Sequence, residues 1–268
     1  MTRTILKALL LALLPLTLGA CNMLKSLNET LLFHPQKLPA DHKYSFIHDF
    51  DELSIEVEPG VKLNALYFKV PQPKGAVFYM HGNAGSLDSW GSVADEFLAL
   101  DYDVLIYDYR GYGKSGGSIE SEEQMYSDAK KMLGVIDQLY GSESIVLYGR
   151  SLGTGIAVDL AKGMAGDSLK MVILETPYTS MMSLAKTHYP IIPSGFVQYK
   201  FDTASKLSGV KVPIYLIHGT KDGIVPYSES LGLMKVRPGM KLFTISGGGH
   251  NNLSAFPGFA LALKEILP

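Results

Sequence analysis

The stretch from Ile145 to Gly155, Ile-Val-Leu-Tyr-Gly-Arg-Ser-Leu-Gly-Thr-Gly, restricts the fold more than any other part of the chain. Four β-favouring residues (Ile145, Val146, Leu147, Tyr148) run into Ser151, which is flanked by Gly149 and Gly153. An apolar, helix-compatible segment, Ile156 to Ala161, follows at once. The order predicted is strand, sharp turn, helix. Side chains at either glycine would collide with the neighbouring strand and helix, and the turn holds the serine hydroxyl exposed above the sheet edge in strained backbone geometry.

A second Gly-x-Ser-x-Gly, Gly113 to Gly117 around Ser115, lies at least six residues beyond the strand expected over Val104 to Tyr107 and leads into polar residues instead of a helix. Ser115 is therefore read as a loop residue and Ser151 as the nucleophile. From Ala76 onward, short apolar runs alternate with helical patterns, the signature of βαβ units and a mostly parallel sheet covered on both faces. The runs are Ala76 to Met80, Val104 to Tyr107, Ile145 to Tyr148, Met171 to Leu174, Ile214 to Ile217 and Lys241 to Ile245. Before them, Leu53 to Glu58 and Val61 to Val70 alternate apolar and polar around Pro59-Gly60, as an antiparallel hairpin does. The expected fold class is α/β, a sheet of about eight strands with helices on both faces and a short, less regular insert at about 178–209.

The first twenty residues differ from the rest. Arg3 and Lys7 precede an apolar run from Ala8 to Leu18 that is too short for a bilayer core of roughly 30 Å, so residues 1–20 are expected to be an export signal. Leu18-Gly19-Ala20-Cys21 resembles the lipobox of bacterial lipoproteins, in which the cysteine becomes the lipidated first residue. Cys21 is the single cysteine of the chain, so an internal disulfide is excluded although export is expected. Residues 21–52 then form a tether, with Leu24, Leu27, Leu31 and Leu32 at helical spacing, and 53–268 the folded domain. Cleavage leaves 22 basic against 26 acidic residues with no basic stripe, which argues against nucleic acid as a partner. Asn22 lacks the aspartate that, in lipoproteins of enteric type, retains the protein at the inner membrane. The outer membrane, facing the periplasm, is thus favoured in a host with two membranes. A plain signal peptide with a free thiol, or an uncleaved anchor, is the alternative.

A serine hydroxyl needs a base beside it, and the base needs a third group to fix its tautomer. The partners expected downstream are Asp222, in the loop His218-Gly219-Thr220-Lys221-Asp222, and His250, after Ser246-Gly247-Gly248-Gly249. Both follow strands at the edge where open α/β sheets place their ligands. Glu175 also ends a strand and stays open as the acid. Asp108 is read as bonding loop amides, and His81 and His218 precede the glycines of their loops. The oxyanion of an acyl intermediate needs backbone donors. Leu152, first after the nucleophile, is one candidate, and Asn83 in His81-Gly82-Asn83-Ala84-Gly85 the other, with Ala84 as the alternative.

Together His81-Gly82-Asn83-Ala84-Gly85, Asp108-Tyr109-Arg110-Gly111-Tyr112-Gly113, Gly149-Arg150-Ser151-Leu152-Gly153, Glu175-Thr176-Pro177-Tyr178, His218-Gly219-Thr220-Lys221-Asp222 and Gly249-His250-Asn251 resemble the α/β-hydrolases grouped with the fission-yeast BEM46 protein. The resemblance implies a serine hydrolase. Understood members include protein depalmitoylases and esterases, which points to acyl esters or thioesters and, given the short insert, to a fairly open site.

Other chemistries fit poorly. Gly111-x-Gly113-x-x-Gly116 formally matches a dinucleotide fingerprint, but its third glycine lies outside the helix expected from Ser121, and Asp108 stands where a P-loop needs glycine. No nucleotide is expected. Nor is any other cofactor or a metal, since no His/Cys cluster has ligand spacing. A catalytically idle fold serving as a lipoprotein scaffold or binding module is the remaining alternative.

Overall fold

The computed structural model describes residues 28–140, 144–164 and 169–268. Cys21 and the leader expected over 1–20 lie outside the described residues.

Eight strands form one sheet: β1 (Phe50–Glu58), β2 (Val61–Phe68), β3 (Ala76–Met80), β4 (Asp103–Tyr107), β5 (Ile145–Arg150), β6 (Met171–Glu175), β7 (Ile214–Gly219) and β8 (Lys241–Ile245). Their order across the sheet is β1-β2-β4-β3-β5-β6-β7-β8. The first two make the hairpin expected around Pro59-Gly60, with Phe50 opposite Phe68 and a shift in register between Glu56 and Glu58. β2 also runs antiparallel to β4, and every later pairing is parallel. Strands β3, β4 and β6 are buried along their whole length. Continuous burial is what a strand covered by helices on both faces requires, and it explains why these segments read as unbroken apolar runs.

Successive side chains of these strands feed two separate cores. Ala76, Phe78, Met80, Ile145 and Leu147 enter one, which packs under α3 (Glu122–Tyr140), α4 (Leu152–Lys162) and Leu233 of α7 (Tyr227–Val236). Val77, Tyr79, Val146 and Tyr148 enter the other, beneath α1 (Leu87–Trp90), α2 (Ala94–Leu98) and α8 (Pro257–Ile266). The sequence pattern from about Asp88 to Leu100 reads as one helix, but the chain forms two short ones joined by a 3-10 turn at Gly91–Val93. The insert holds α5 (Met181–His188) and α6 (Thr203–Lys206) in otherwise irregular chain.

The chain crosses from β4 past β3 to β5, so winding reverses direction between β3 and β5. Met80 pairs with Gly149 in that register, which puts the loop after β3 and the turn after β5 side by side at the carboxyl edge. A crevice opens where two neighbouring connections diverge in this way.

The segment before the sheet is stitched to the same edge. The amides of His34 and Gln36 donate to the carbonyls of Asn83 (2.9 Å) and Gly85 (2.8 Å), the Leu38 amide donates to the Gly113 carbonyl (3.0 Å), and the Gly113 amide donates to the Gln36 carbonyl (2.8 Å). Phe33 is buried, its ring edge-on to Tyr199 with centroids 5.0 Å apart. Phe33→Ala is expected to lower stability by about 3–5 kcal/mol in denaturant titration, as removal of a core ring does. A change within 0.5 kcal/mol would mean that this segment rests on the domain without contributing to it.

Candidate active site

The turn after β5 carries Ser151 at φ 51°, ψ −116°. Such a conformation costs a side-chain-bearing residue about 1–3 kcal/mol and persists only where its surroundings enforce it. Two close approaches do so. A methyl group on Gly149 would lie 2.5 Å from the Gly153 carbonyl oxygen, and one on Gly153 would lie 2.0 Å from the Met80 carbonyl oxygen. Neither position accepts a Cβ. The Ser151 amide is tied to the Glu175 carbonyl at 2.9 Å, and its carbonyl accepts from the amide (2.9 Å) and hydroxyl (2.7 Å) of Thr154.

His250 follows β8 and Asp222 follows β7. The imidazole Nε2 is 3.0 Å from Ser151 Oγ and Nδ1 is 2.7 Å from Asp222 Oδ2. An ionised carboxylate only accepts, so Nδ1 carries the proton and the Nε2 lone pair faces the serine hydroxyl. Asp222 Oδ1 accepts from the amides of Ile224 (2.9 Å) and Val225 (2.8 Å). Burial pushes this carboxyl up, but bonds from His218, His250 and the Val225 amide, joined by the charge of His250 whenever that ring is protonated, outweigh it and hold the group well below the usual carboxylate range. Asp222 is therefore ionised throughout the neutral range.

The other residues singled out in the sequence are held in different bonds. Glu175 lies 3.2 Å from Arg150 Nε and accepts from the Tyr148 hydroxyl at 2.8 Å, not from His250. Asp108 accepts from the Leu87 amide with both oxygens at 3.1 Å. Ser115 is buried, donating to the Asp108 carbonyl (2.8 Å) and accepting from the Asn64 amide (2.9 Å). His218, which precedes the glycine of its loop, is wholly buried. Its Nδ1 meets Ser230 Oγ at 2.7 Å while Nε2 lies 2.9 Å from the Val225 carbonyl and 3.3 Å from Asp222, so it braces the acid's loop.

Leu152 opens α4, so its amide has no acceptor within the helix and faces the helix's positive end. Across the crevice, a methyl on Gly82 would sit 3.8 Å from Ser151 Cβ, which places the β3 loop against the serine. The Asn83 side chain donates to the Leu32 carbonyl at 2.9 Å, and the Asn83 backbone carbonyl accepts from the Tyr112 hydroxyl at 2.7 Å. With its carboxamide occupied, Asn83 has its backbone amide to offer an oxyanion, as does Ala84.

An apolar groove of about 260 Å³ is lined by Leu31, Leu32, Met181, Leu184, Tyr189 and Phe196, among others. It is bracketed by both halves of the site: Leu32 holds Asn83, and His188 of its wall lies 2.8 Å from the carbonyl of Ile224, whose amide binds Asp222. Sequence reading missed the contribution of Leu31 and Leu32, because a pair of leucines before the sheet carries no local sign of what it faces.

A second cavity, of about 650 Å³, is lined by Trp90, Asp95, Glu96, Arg150, Glu175 and Phe259 among others. Burial, then the charge of Glu175, pushes the Glu96 carboxyl up to about 7, against the pull of Arg150. A carboxyl raised on folding adds stability that is present in full below the ordinary carboxylate range and is lost as pH rises through about 7. Glu96→Gln is therefore expected to raise the melting temperature at pH 8 and leave it nearly unchanged at pH 4. Equal shifts at both pH values would show that Glu96 ionises as it does in water.

The family model described as serine aminopeptidase, S33 matches residues 71–194. Alpha/beta hydrolase domain-containing protein 17B of Homo sapiens is 31% identical over 205 residues, covering 74% of this chain and 67% of that protein. The 17C protein of Xenopus tropicalis is 29% identical over 239 residues, with 85% and 74% covered. Among solved structures, an esterase of Pyrococcus furiosus superposes with a TM-score of 0.69 at 19% identity, covering 88% of this chain and 96% of that one. An α/β-hydrolase of Vibrio vulnificus does so with a TM-score of 0.64 at 23% identity and 88% of each chain covered. The eight-stranded sheet agrees with the fold of these structures, and the chain belongs to the α/β-hydrolase superfamily.

Proposed function

We propose that the chain is a serine hydrolase that cleaves acyl esters or thioesters through an acyl-enzyme and is tethered to a membrane by lipid on Cys21. The observation that carries this reading is the unbroken hydrogen-bonded line from Ser151 through His250 to Asp222; an apolar groove whose walls bond to Asn83 and to the Asp222 loop supports it. In the proposed reaction Ser151 Oγ forms a bond to the acyl carbonyl carbon while its proton passes to His250 Nε2. Asp222 keeps the imidazole in the tautomer that accepts this proton and stabilises the cation that results. The amides of Leu152 and Asn83 meet the oxyanion, where loss of one donor costs about 2.7–4 kcal/mol. His250 then protonates the departing alcohol or thiol, and water, activated by the same imidazole, releases the acid.

The groove supports an acyl chain as the part of the substrate that is bound. The large side chains exposed about its mouth, Leu31, Tyr189, Ile191 and Phe196, support a lipid-like source for that chain. Leu31 follows Cys21 by ten residues. The lipidated cysteine would thus set these groups close to a bilayer, the outer membrane on its periplasmic side where the host has two.

Ser151→Ala is expected to leave folding intact and to abolish both hydrolysis of p-nitrophenyl esters and labelling by a fluorophosphonate probe. Asp222→Asn should lower kcat by about 10³–10⁴-fold, because the amide favours the wrong imidazole tautomer. Glu175→Gln keeps a side-chain oxygen that can accept from Arg150 and Tyr148 and should retain much of the activity, and an exchange of those last two results would make Glu175 the acid. A panel of esters of graded chain length with a matched thioester reports the preferred acyl group. Wild-type protein that is folded yet unlabelled by the probe would refute the proposal.

The tether has its own measurement. Cys21→Ala is expected to shift the protein from the membrane pellet to the soluble fraction or to arrest its maturation. Unchanged pelleting that resists a carbonate wash would remove Cys21 as the anchor.

A further inference from the structure

We propose that Arg150, the residue before the nucleophile, is a positioning residue that fixes the distance between Ser151 and His250. The proposal rests on the serine-hydrolase reading above and concerns how its base is held. His250 follows three consecutive glycines, Gly247 to Gly249, a stretch with little stiffness of its own. The bracing bonds to that stretch come from the Asp222 loop and from the stretch's own end. Thr220 Oγ1 accepts from Gly247, the Lys221 amide donates to Gly248 at 2.8 Å, and Asn252 Oδ1 accepts from Gly249 at 2.8 Å. None of these reaches the strand that carries the serine.

Arg150 makes that connection. Its Nη2 donates to the His250 carbonyl at 3.2 Å and faces Asn251 Oδ1 at 3.4 Å. The guanidinium is fixed from behind by Glu175 Oε1, 3.2 Å from Nε, and lies over the Trp90 ring at 4.9 Å. Glu175 is itself held by the Tyr148 hydroxyl, and its backbone carbonyl binds the Ser151 amide. One residue therefore anchors both the amide of the nucleophile and the cation that grips the backbone of the base. A planar guanidinium with several fixed donors suits this task, and an ammonium reaches fewer partners at once. Arg150 lines the 650 Å³ cavity and not the apolar groove, so its effect is on the geometry of the reacting groups and not on substrate affinity.

The cavity also supplies the test. It borders the guanidinium, whose side chain is 15% exposed, so a small guanidine can enter the space left by truncation. Arg150→Ala is expected to lower kcat on a soluble p-nitrophenyl ester by about 100-fold with KM within about twofold, the scale of loss for a misplacement near 1 Å. Ethylguanidine at millimolar concentration should restore at least tenfold of this loss in a saturable way, and have no effect on wild type. Arg150→Lys should fall between the two. Arg150→Gln, which keeps a long side chain over Trp90, provides the kcat and KM comparison, without the rescue, where the alanine variant does not fold. Wild-type kcat in the variant, a loss expressed wholly in KM, or a kcat loss that ethylguanidine does not reverse would each overturn the assignment. Fluorophosphonate labelling separates the two levels. Equal labelling rates in wild type and variant refute the role of Arg150 alone, whereas failure of folded wild type to label refutes the hydrolase reading itself.

Discussion

Everything at the carboxyl edge of the sheet depends on backbone packed against backbone where β3, β5 and α4 meet. The Gly153 position lies too close to the Met80 carbonyl for any side chain, and Gly149 too close to Gly153. That contact forces the chain to turn within one residue, and Ser151 takes the left-handed conformation as a result. The energy stored there is small beside the burial of the strands on either side. Val146, Leu147, Val172 and Ile173 are wholly inaccessible to solvent, and each contributes about 1.5–3 kcal/mol by leaving water. The core thus holds the turn, and the turn aims the hydroxyl.

Electrostatics complete what packing begins. The Asp222 carboxylate has lost its access to water, a costly state for a charge unless bonds replace the lost hydration. Two backbone amides and two imidazoles supply them. Because the amides come from residues two and three positions after Asp222, the loop folds around its own carboxylate and delivers it to His250 already oriented. Glu175 has an equally favourable position in the sheet but a different partner, the guanidinium of Arg150.

How much of this was legible depended on how local the signal was. The parallel sheet, the hairpin and the turn at Ser151 are written in runs of four to eight residues, and each appeared where its pattern indicated. Ser115 could be set aside because the segment beyond it had no helical pattern, and it is indeed a buried loop residue bonded to backbone. The continuous helix expected from about Asp88 to Leu100 was not found. Its apolar pattern continues across Gly91 while the backbone tightens into a 3-10 turn there, a change that periodicity does not register. The sequence favoured Asp222 as the acid but left Glu175 open, since both lie at the carboxyl ends of strands on the same edge. The contacts of Leu32, Arg150 and His218 were equally invisible, for each depends on a partner more than ten residues away or on the direction of a ring.

The walls of the apolar groove belong to no strand. Leu31 and Leu32 precede the sheet, and Met181, Leu184, Tyr189 and Phe196 lie in the insert after β6. The machinery that would break a bond and the surface that would choose which molecule to break are therefore carried by separate parts of the chain. Drift in the leucines and the insert can retune selectivity over evolutionary time while the strands and their turns remain as they are.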